Sequence, residues 1–332
     1  MRYKNFIKPI LFIMGLFLIL ILSSAFTSRY GFLQGPYGKM TGLLKAPDDS
    51  FDYLVIGDSE SRTSISPMII WKDYGYSGFN CGIPGQRLQD TYYWLEKSLK
   101  NQSPKVIMLE TNAFYRKITY MKEMETTVEL KMQTMFSIFQ YHNDWLHINP
   151  HDLKNNRAVK AYESTLIAGA GYRNSKTVKP YKKGDYIHET EEKEEIQERP
   201  LYYLNKIVEL CKKKDIQLIL YSSPSPICWT YKKYNAAAAF AEKNNLQYID
   251  LNIRISDVGI DWSKDTRDKG NHINYYGSQK VTKFIGQYLY NHTKMTDHRK
   301  DEKYQSWNDA LGKYMKQAEK KQSAKSIADD YL

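Results

Sequence analysis

Residues Phe51 to Arg62 read FDYLVIGDSESR, an apolar run that ends in Gly57-Asp58-Ser59. Tyr53 to Ile56 has the uninterrupted hydrophobicity of a parallel strand buried on both faces. A glycine at the carboxyl end of such a strand lets the backbone turn sharply, because it has no Cβ to clash. The hydroxyl of Ser59 then stands at the mouth of the sheet, where open α/β folds bind their ligands. Ser59 is therefore a candidate nucleophile. A Gly-Asp-Ser triplet by itself is common, so its company along the chain decides how far this reading goes.

Working outward, further strands are read at Asp52–Ile56, around Phe79, at Lys105–Leu109, at Gln217–Ser222 and at Gln247–Leu251. Helical patterns separate them at Leu88–Lys100, Leu201–Lys213 and Tyr231–Asn244, and Tyr276–Tyr290 carries an apolar stripe of Val281, Phe284, Ile285, Tyr288 and Leu289. Strands alternating with helices imply a parallel sheet covered on both faces. The stretch from Phe114 to Pro200 is far longer than a crossover needs. It reads as a functional insertion after the third strand, able to cap Ser59.

A free serine hydroxyl is a poor nucleophile. It needs an imidazole to take its proton and a carboxylate to hold that imidazole. Asp268-Lys-Gly-Asn-His272 supplies both in one polar loop just before the last helical pattern. Asn80-Cys-Gly82-Ile-Pro-Gly85 and Val106-Ile-Met-Leu-Glu-Thr-Asn112 follow the second and third strands and offer oxyanion donors.

These four blocks, in this order, resemble the SGNH (GDSL-type) hydrolase superfamily. The resemblance implies a flavodoxin-like α/β/α three-layer sandwich with a central parallel sheet of about five strands in the order 2-1-3-4-5. It also implies a triad of Ser59, His272 and Asp268, and an oxyanion hole built from the Ser59 N–H, the N–H of Gly82 or Gly85, and the Asn112 side chain. The usual last block places its Asp three residues before the His, whereas Asp268 lies four before His272; Asp265 is the alternative. The third block reads Glu110-Thr-Asn112-Ala in place of the common Gly-x-Asn-Asp.

Pro9 to Phe26 carries no charge and follows Arg2, Lys4 and Lys8. Eighteen residues at about 1.5 Å each span roughly 27 Å, close to a hydrocarbon core of about 30 Å. Ser24-Ala25-Phe26 is a poor cleavage site, so an uncleaved anchor is expected, with a cleaved signal peptide as the alternative, residues 1–8 being cytoplasmic by the positive-inside rule and the body outside. Residues 27–49 read as a connector, 50–292 as the catalytic domain with its insertion at 114–200, and 293–332 as a charged tail. In that tail Trp307, Ala310, Leu311, Tyr314, Met315 and Ala318 recur at helical spacing, a stripe expected to pack on the body.

The net charge of +11 comes from lysines scattered over all 332 residues. No clustered basic and aromatic module marks a nucleic-acid site; a basic body beside a membrane favours anionic head groups or wall polymers. The cysteines Cys81, Cys211 and Cys228 fall at no metal-ligand spacing and read as small buried hydrophobes rather than a disulfide framework. His147 and His151 stand four apart with Pro150 between them, so no metal site is read, and no cofactor is expected. The acidic run Glu189–Glu198 reads as a solvated helical face or loop. Tyr141-His142-Asn-Asp-Trp145 in the insertion makes His142 and Trp145 candidate substrate contacts, with packing inside the insertion as the alternative.

The anchor, the Asn80–Arg87 stretch and the long insertion further resemble membrane-anchored SGNH proteins of the DltD-like and alginate O-acetylation-type branch. That resemblance implies O-acyl transfer, of acetyl or D-alanyl groups, to a surface polysaccharide or teichoic-acid-type polymer beside a membrane-bound O-acyltransferase. A carbohydrate esterase or lipase without such a partner is the main alternative, and a non-catalytic scaffold the third.

Overall fold

The computed structural model describes residues 4–30, 40, 42–140 and 157–319. Five strands, β1 (Tyr53–Ile56), β2 (Gly78–Asn80), β3 (Val106–Glu110), β4 (Gln217–Ser222) and β5 (Gln247–Asp250), form one parallel sheet in the order β2-β1-β3-β4-β5. The chain runs from β1 outward to β2 and then returns to the other side of β1 as β3. The carboxyl ends of β1 and β3 therefore flank the point where the winding reverses, which is where such sheets open a crevice.

The helices, numbered along the chain, are α1 (Lys4–Tyr30), α2 (Ser59–Ser64), α3 (Pro67–Tyr74), α4 (Leu88–Ser98), α5 (Tyr120–Met135), α6 (Ser137–Gln140), α7 (Arg157–Ile167), α8 (Glu198–Lys213), α9 (Tyr231–Asn244), α10 (Ile255–Val258), α11 (Tyr275–His292) and α12 (Gln305–Glu319). The strands and the four long helices expected of the body are present, with ends shifted by up to three residues. Two short helices, α2 and α3, were not legible beforehand. α2 reads SESRTS and has no apolar period to betray it.

The two-residue period of the strands sorts their side chains onto two faces. Tyr53, Val55, Val106, Met108, Ile219 and Tyr221 pack with Ile65, Ile70 and the α11 stripe Val281, Ile285 and Leu289 in one core. The alternate residues Leu54, Ile107, Leu109, Leu218 and Leu220 are equally buried. Helices α4 and α8 pack on one another, α8 burying Leu204, Ile207, Val208 and Cys211. Burying each large aliphatic side chain contributes about 1.5–3 kcal/mol relative to exposure. At Gly78 a Cβ would collide with the Tyr53 ring, so the edge strand can approach β1 there only as glycine.

The chain divides into two compact units, Ala46–Ile118 with Glu163–Leu332, and Met1–Lys45 with Thr119–Tyr162. The sheet belongs to the first unit. There α12 buries Trp307, Ala310, Tyr314 and Ala318, the stripe read in the tail. The Trp307 ring lies 5.2 Å from that of Trp71, and the Tyr314 and Ser66 hydroxyls are 3.0 Å apart. Upstream of α12, His298 Nε2 sits 3.1 Å from Asp52 Oδ1.

In the second unit, α1 contains one stretch long and apolar enough to cross a membrane, Ile7–Ala25 with mean hydropathy 2.3. α6 packs on α1, with the Phe136 and Phe17 rings 5.3 Å apart edge to face and the Ile138 N–H donating to Ser24 Oγ at 3.4 Å. The insertion is thus shared between the two units. The acidic run precedes α8 as exposed irregular chain.

Candidate active site

Gly57 closes β1 with φ +143°, a conformation that favours glycine, and a Cβ there would lie 2.7 Å from the Cβ of Glu110. Asp58 caps the helix that follows, its Oδ1 accepting the Glu60 N–H at 3.0 Å. Ser59 is consequently the first residue of α2, at the carboxyl end of the sheet, and is 9% exposed. Among the described residues its hydroxyl forms no hydrogen bond, which leaves the oxygen open to a substrate.

The loop from Thr266 to Ile273 brings the candidate base His272 and the candidate carboxylate Asp268 together. Thr266 and Ile273 form an antiparallel bridge, and Lys269 (φ +64°) and Gly270 (φ +91°) both adopt left-handed conformations between them. The turn this creates folds Asp268 back onto His272. Its Oδ2 lies 2.6 Å from Nδ1 and its Oδ1 accepts the His272 N–H at 2.6 Å. The four-residue spacing is accommodated by those two left-handed residues. Burial pushes the Asp268 carboxyl up, but the hydrogen bond from the imidazole, the imidazole's charge and Arg267 outweigh it and hold it below the ordinary carboxylate range. Asp265 lies elsewhere: buried, it accepts from Lys280 Nζ at 2.5 Å and from the Asp261 N–H at 2.7 Å.

The later part of the insertion braces this loop. Tyr275 N–H donates to Ser175 O at 2.7 Å, Lys179 N–H to Thr266 O at 3.0 Å, and Lys269 N–H to Lys179 O at 2.9 Å. Tyr181 packs where a Cβ on Gly270 would stand.

With Nδ1 engaged by Asp268, His272 Nε2 points toward the start of α2, 3.6 Å from Glu60 Oε1. Glu60 is 1% exposed, and neither carboxyl oxygen has a hydrogen-bond partner among the described residues. Burial, reinforced by Cys228, Asp58, Glu110 and Asp268, pushes its carboxyl well above the ordinary range, so it favours the protonated form. Burial also pushes the Cys228 thiol up, which argues against a reactive thiolate. All three cysteines are free.

Asn112 follows β3 in a single 3₁₀ turn, its N–H held by Glu110 Oε2 at 2.9 Å. Its Nδ2 donates to Asp58 Oδ2 at 2.9 Å, which leaves the second amide hydrogen for a ligand. Arg116 reaches the same Asp58 oxygen with Nε at 2.8 Å and Nη2 at 2.6 Å. The two glycine candidates differ. The Gly82 N–H donates to Asn80 Oδ1 at 3.0 Å, and a Cβ on Gly82 would collide with Ser61 Oγ, so this residue packs tightly behind the turn that carries Ser59. Gly85 has φ +68° and open space around its Cα.

His142 and Trp145 lie outside the described residues, as do His147 and His151. Among the described residues no cluster of His, Cys, Asp and Glu suits a metal ion. Glu60 and Arg116 were not singled out from sequence. Glu60 carries a signal in retrospect, as an acid directly after a strand-end serine. Arg116 carries none, since its partner Asp58 is 58 residues earlier.

No family model matches the chain, and no curated relative does. Among solved structures it is similar to a lipase/acylhydrolase from Enterococcus faecalis at 13% identity and TM-score 0.40, over 73% of this chain and 96% of that one. It is also similar to a GDSL-like lipase from Bacteroides thetaiotaomicron, at 13% identity and TM-score 0.36 over 72% and 87% of the two chains. An esterase from a Pseudoalteromonas species matches at 11% identity and TM-score 0.36, over 72% and 96%. At these values the likeness carries no mechanistic argument, and the site is argued from its own geometry.

Proposed function

We propose that the chain is an SGNH-type serine enzyme that cleaves an ester through an acyl-Ser59 intermediate. The observation that carries this reading is the His272–Asp268 pair at 2.6 Å, with Nε2 directed at the helix start that bears Ser59. Ser59 Oγ attacks the ester carbonyl while His272 Nε2 takes its proton, and Asp268 holds the ring and stabilises the imidazolium. The C–O bond of the ester then breaks as His272 returns the proton to the leaving alcohol. The tetrahedral oxyanion is held by the Ser59 N–H and the free hydrogen of Asn112 Nδ2, with Gly85 as the backbone donor, because the Gly82 N–H is engaged by Asn80.

The acyl-enzyme is resolved by water in an esterase and by a sugar or polymer hydroxyl in a transferase. An apolar stretch able to span a membrane supports a body held at the membrane surface. The proposed role is O-acyl transfer to a surface glycan or teichoic-acid-type polymer, in partnership with a membrane-bound O-acyltransferase. A serine-directed phosphonate should label Ser59 in the wild-type protein, and a deletion strain should lose ester-linked acyl groups from a surface polymer. A rise in surface acylation on deletion would make the chain a deacylase, and no label on Ser59 would overturn the acyl-serine reading itself.

A further inference from the structure

Helix α5 displays three faces, each confined to its own side. At 3.6 residues per turn, Met121, Met124, Val128 and Met135 fall within an arc of about 60°. Their exposures are 73%, 47%, 60% and 62%, with Tyr120 adjoining at 64%. Lys122, Glu125 and Glu129 occupy a second arc of about 60°, and Lys122 pairs with Glu125 at 2.9 Å. Thr126, Leu130 and Gln133 occupy the third and are buried. An exposed stripe of methionines and valine beside a charged stripe is not how a helix in water places its side chains. It matches a helix lying in a membrane interface.

What covers the stripe follows from the neighbour of α5. Phe136, the residue after α5, is buried against Phe17, and Ile138 N–H meets Ser24 Oγ, one residue from the end of the Ile7–Ala25 stretch. α6 is thus fastened along the carboxyl-terminal half of that stretch, from its middle at Phe17 to its end at Ser24, and α5 packs on α6, so lipid around that half of α1, up to the membrane boundary, also meets α6 and the adjoining α5. Lys131 stands at the edge of the apolar arc. There a lysine stem can run along apolar surface while its ammonium stays in water.

We propose that α5 and α6 form an interfacial element of the membrane, with Met121, Met124, Val128 and Met135 set into the headgroup–acyl boundary and Lys122, Glu125 and Glu129 facing water. The inference rests on α1 crossing the membrane and is independent of the chemistry at Ser59.

The test uses the full chain reconstituted in phosphatidylcholine–phosphatidylglycerol vesicles. In a Cys228→Ser background, which keeps only the buried Cys81 and Cys211, a nitroxide is placed in turn at 121, 124, 125, 128 and 129, with 16 as a reference on α1. Labels at 121, 124 and 128 should be several-fold more accessible to oxygen than to a water-soluble nickel chelate, and labels at 125 and 129 should show the reverse. Free access of the chelate to 124 and 128 would overturn the proposal. Exclusion of both reagents from those sites would also overturn it, because a protein partner or a second copy would then cover the stripe. A label at 16 that reports water would show that α1 does not span, and would remove the premise while leaving the Ser59 reading intact.

Discussion

His272 Nε2 lies 3.6 Å from Oε1 of Glu60, so the nitrogen that faces the turn bearing Ser59 also faces a buried acid whose carboxyl has no hydrogen bond among the described residues. The cluster around it holds Asp58, Glu110 and Asp268, and each is handled differently. Asp58 pairs with Arg116 and accepts a hydrogen bond from Asn112, and Asp268 is hydrogen-bonded to His272. Glu110 accepts backbone N–H groups, yet burial and Asp58 still push it well above the ordinary carboxylate range. Glu60 has no such partner.

That difference predicts a pH-dependent stability effect. The folded chain keeps a proton on Glu60 that the unfolded chain releases above about pH 4.3. With the folded pKa raised, stability contributed by this group is full below the unfolded pKa and falls as pH rises, by up to about 1.4 kcal/mol per pH unit. Glu60→Gln should therefore raise the melting temperature at pH 7, with the gain vanishing near pH 4. A gain that stays constant across that range would mean Glu60 does not titrate as argued.

Ser59→Ala should lose turnover of an aryl acetate by up to the order of 10⁶, the scale reported for a triad nucleophile. Thermal melts should remain close to wild type, since the hydroxyl makes no hydrogen bond to the described residues.

Asp268→Asn and Asp265→Asn should separate cleanly. The first replaces the carboxylate that fixes the imidazole's tautomer and stabilises its charge by a neutral amide and should cost about 10⁴ in kcat. The second removes the negative charge that pairs with Lys280, which keeps only the Gly259 carbonyl, and should lower stability while kcat stays within a few-fold. If Asp265→Asn damages kcat more, the carboxylate assignment is wrong.

Asn112→Ala should reduce kcat by about 10² to 10³ with little change in KM. Asp58→Asn should produce part of the same loss, because Asp58 Oδ2 holds both the Asn112 amide and Arg116. A KM effect without a kcat effect would place Asn112 in substrate recognition.

Trp307→Ala should destabilise the body by about 3–5 kcal/mol, as for other buried aromatics. Trp307 is fully buried against Trp71, so chemical denaturation should report the loss even though the residue lies far along the chain in a charged tail.

The strands follow from features that are local in sequence, while their order is what the family resemblance implies and the pairing in the folded sheet alone displays. Continuous apolar runs with glycine at their ends are legible one strand at a time, and β1 with Gly57 shows why: burial on both faces leaves no polar alternation to mistake for another element. The Asp268–His272 loop was legible as residue types, since the chemistry of a serine demands them. Which aspartate engages the ring depended on two left-handed residues, 269 and 270, whose φ angles composition does not reveal. Tertiary structure alone decided that the Gly82 N–H is engaged by Asn80, that Arg116 meets Asp58, and that Glu60 is buried beside His272 with no hydrogen bond to its carboxyl among the described residues. Those outcomes depend on through-space approach of segments far apart in the chain, and on a low-dielectric interior that sequence spacing does not encode. The same holds for α5, whose charged and apolar residues announce an amphipathic helix. Only its packing in the folded unit, against the α6 that joins it to α1, shows which face is left uncovered.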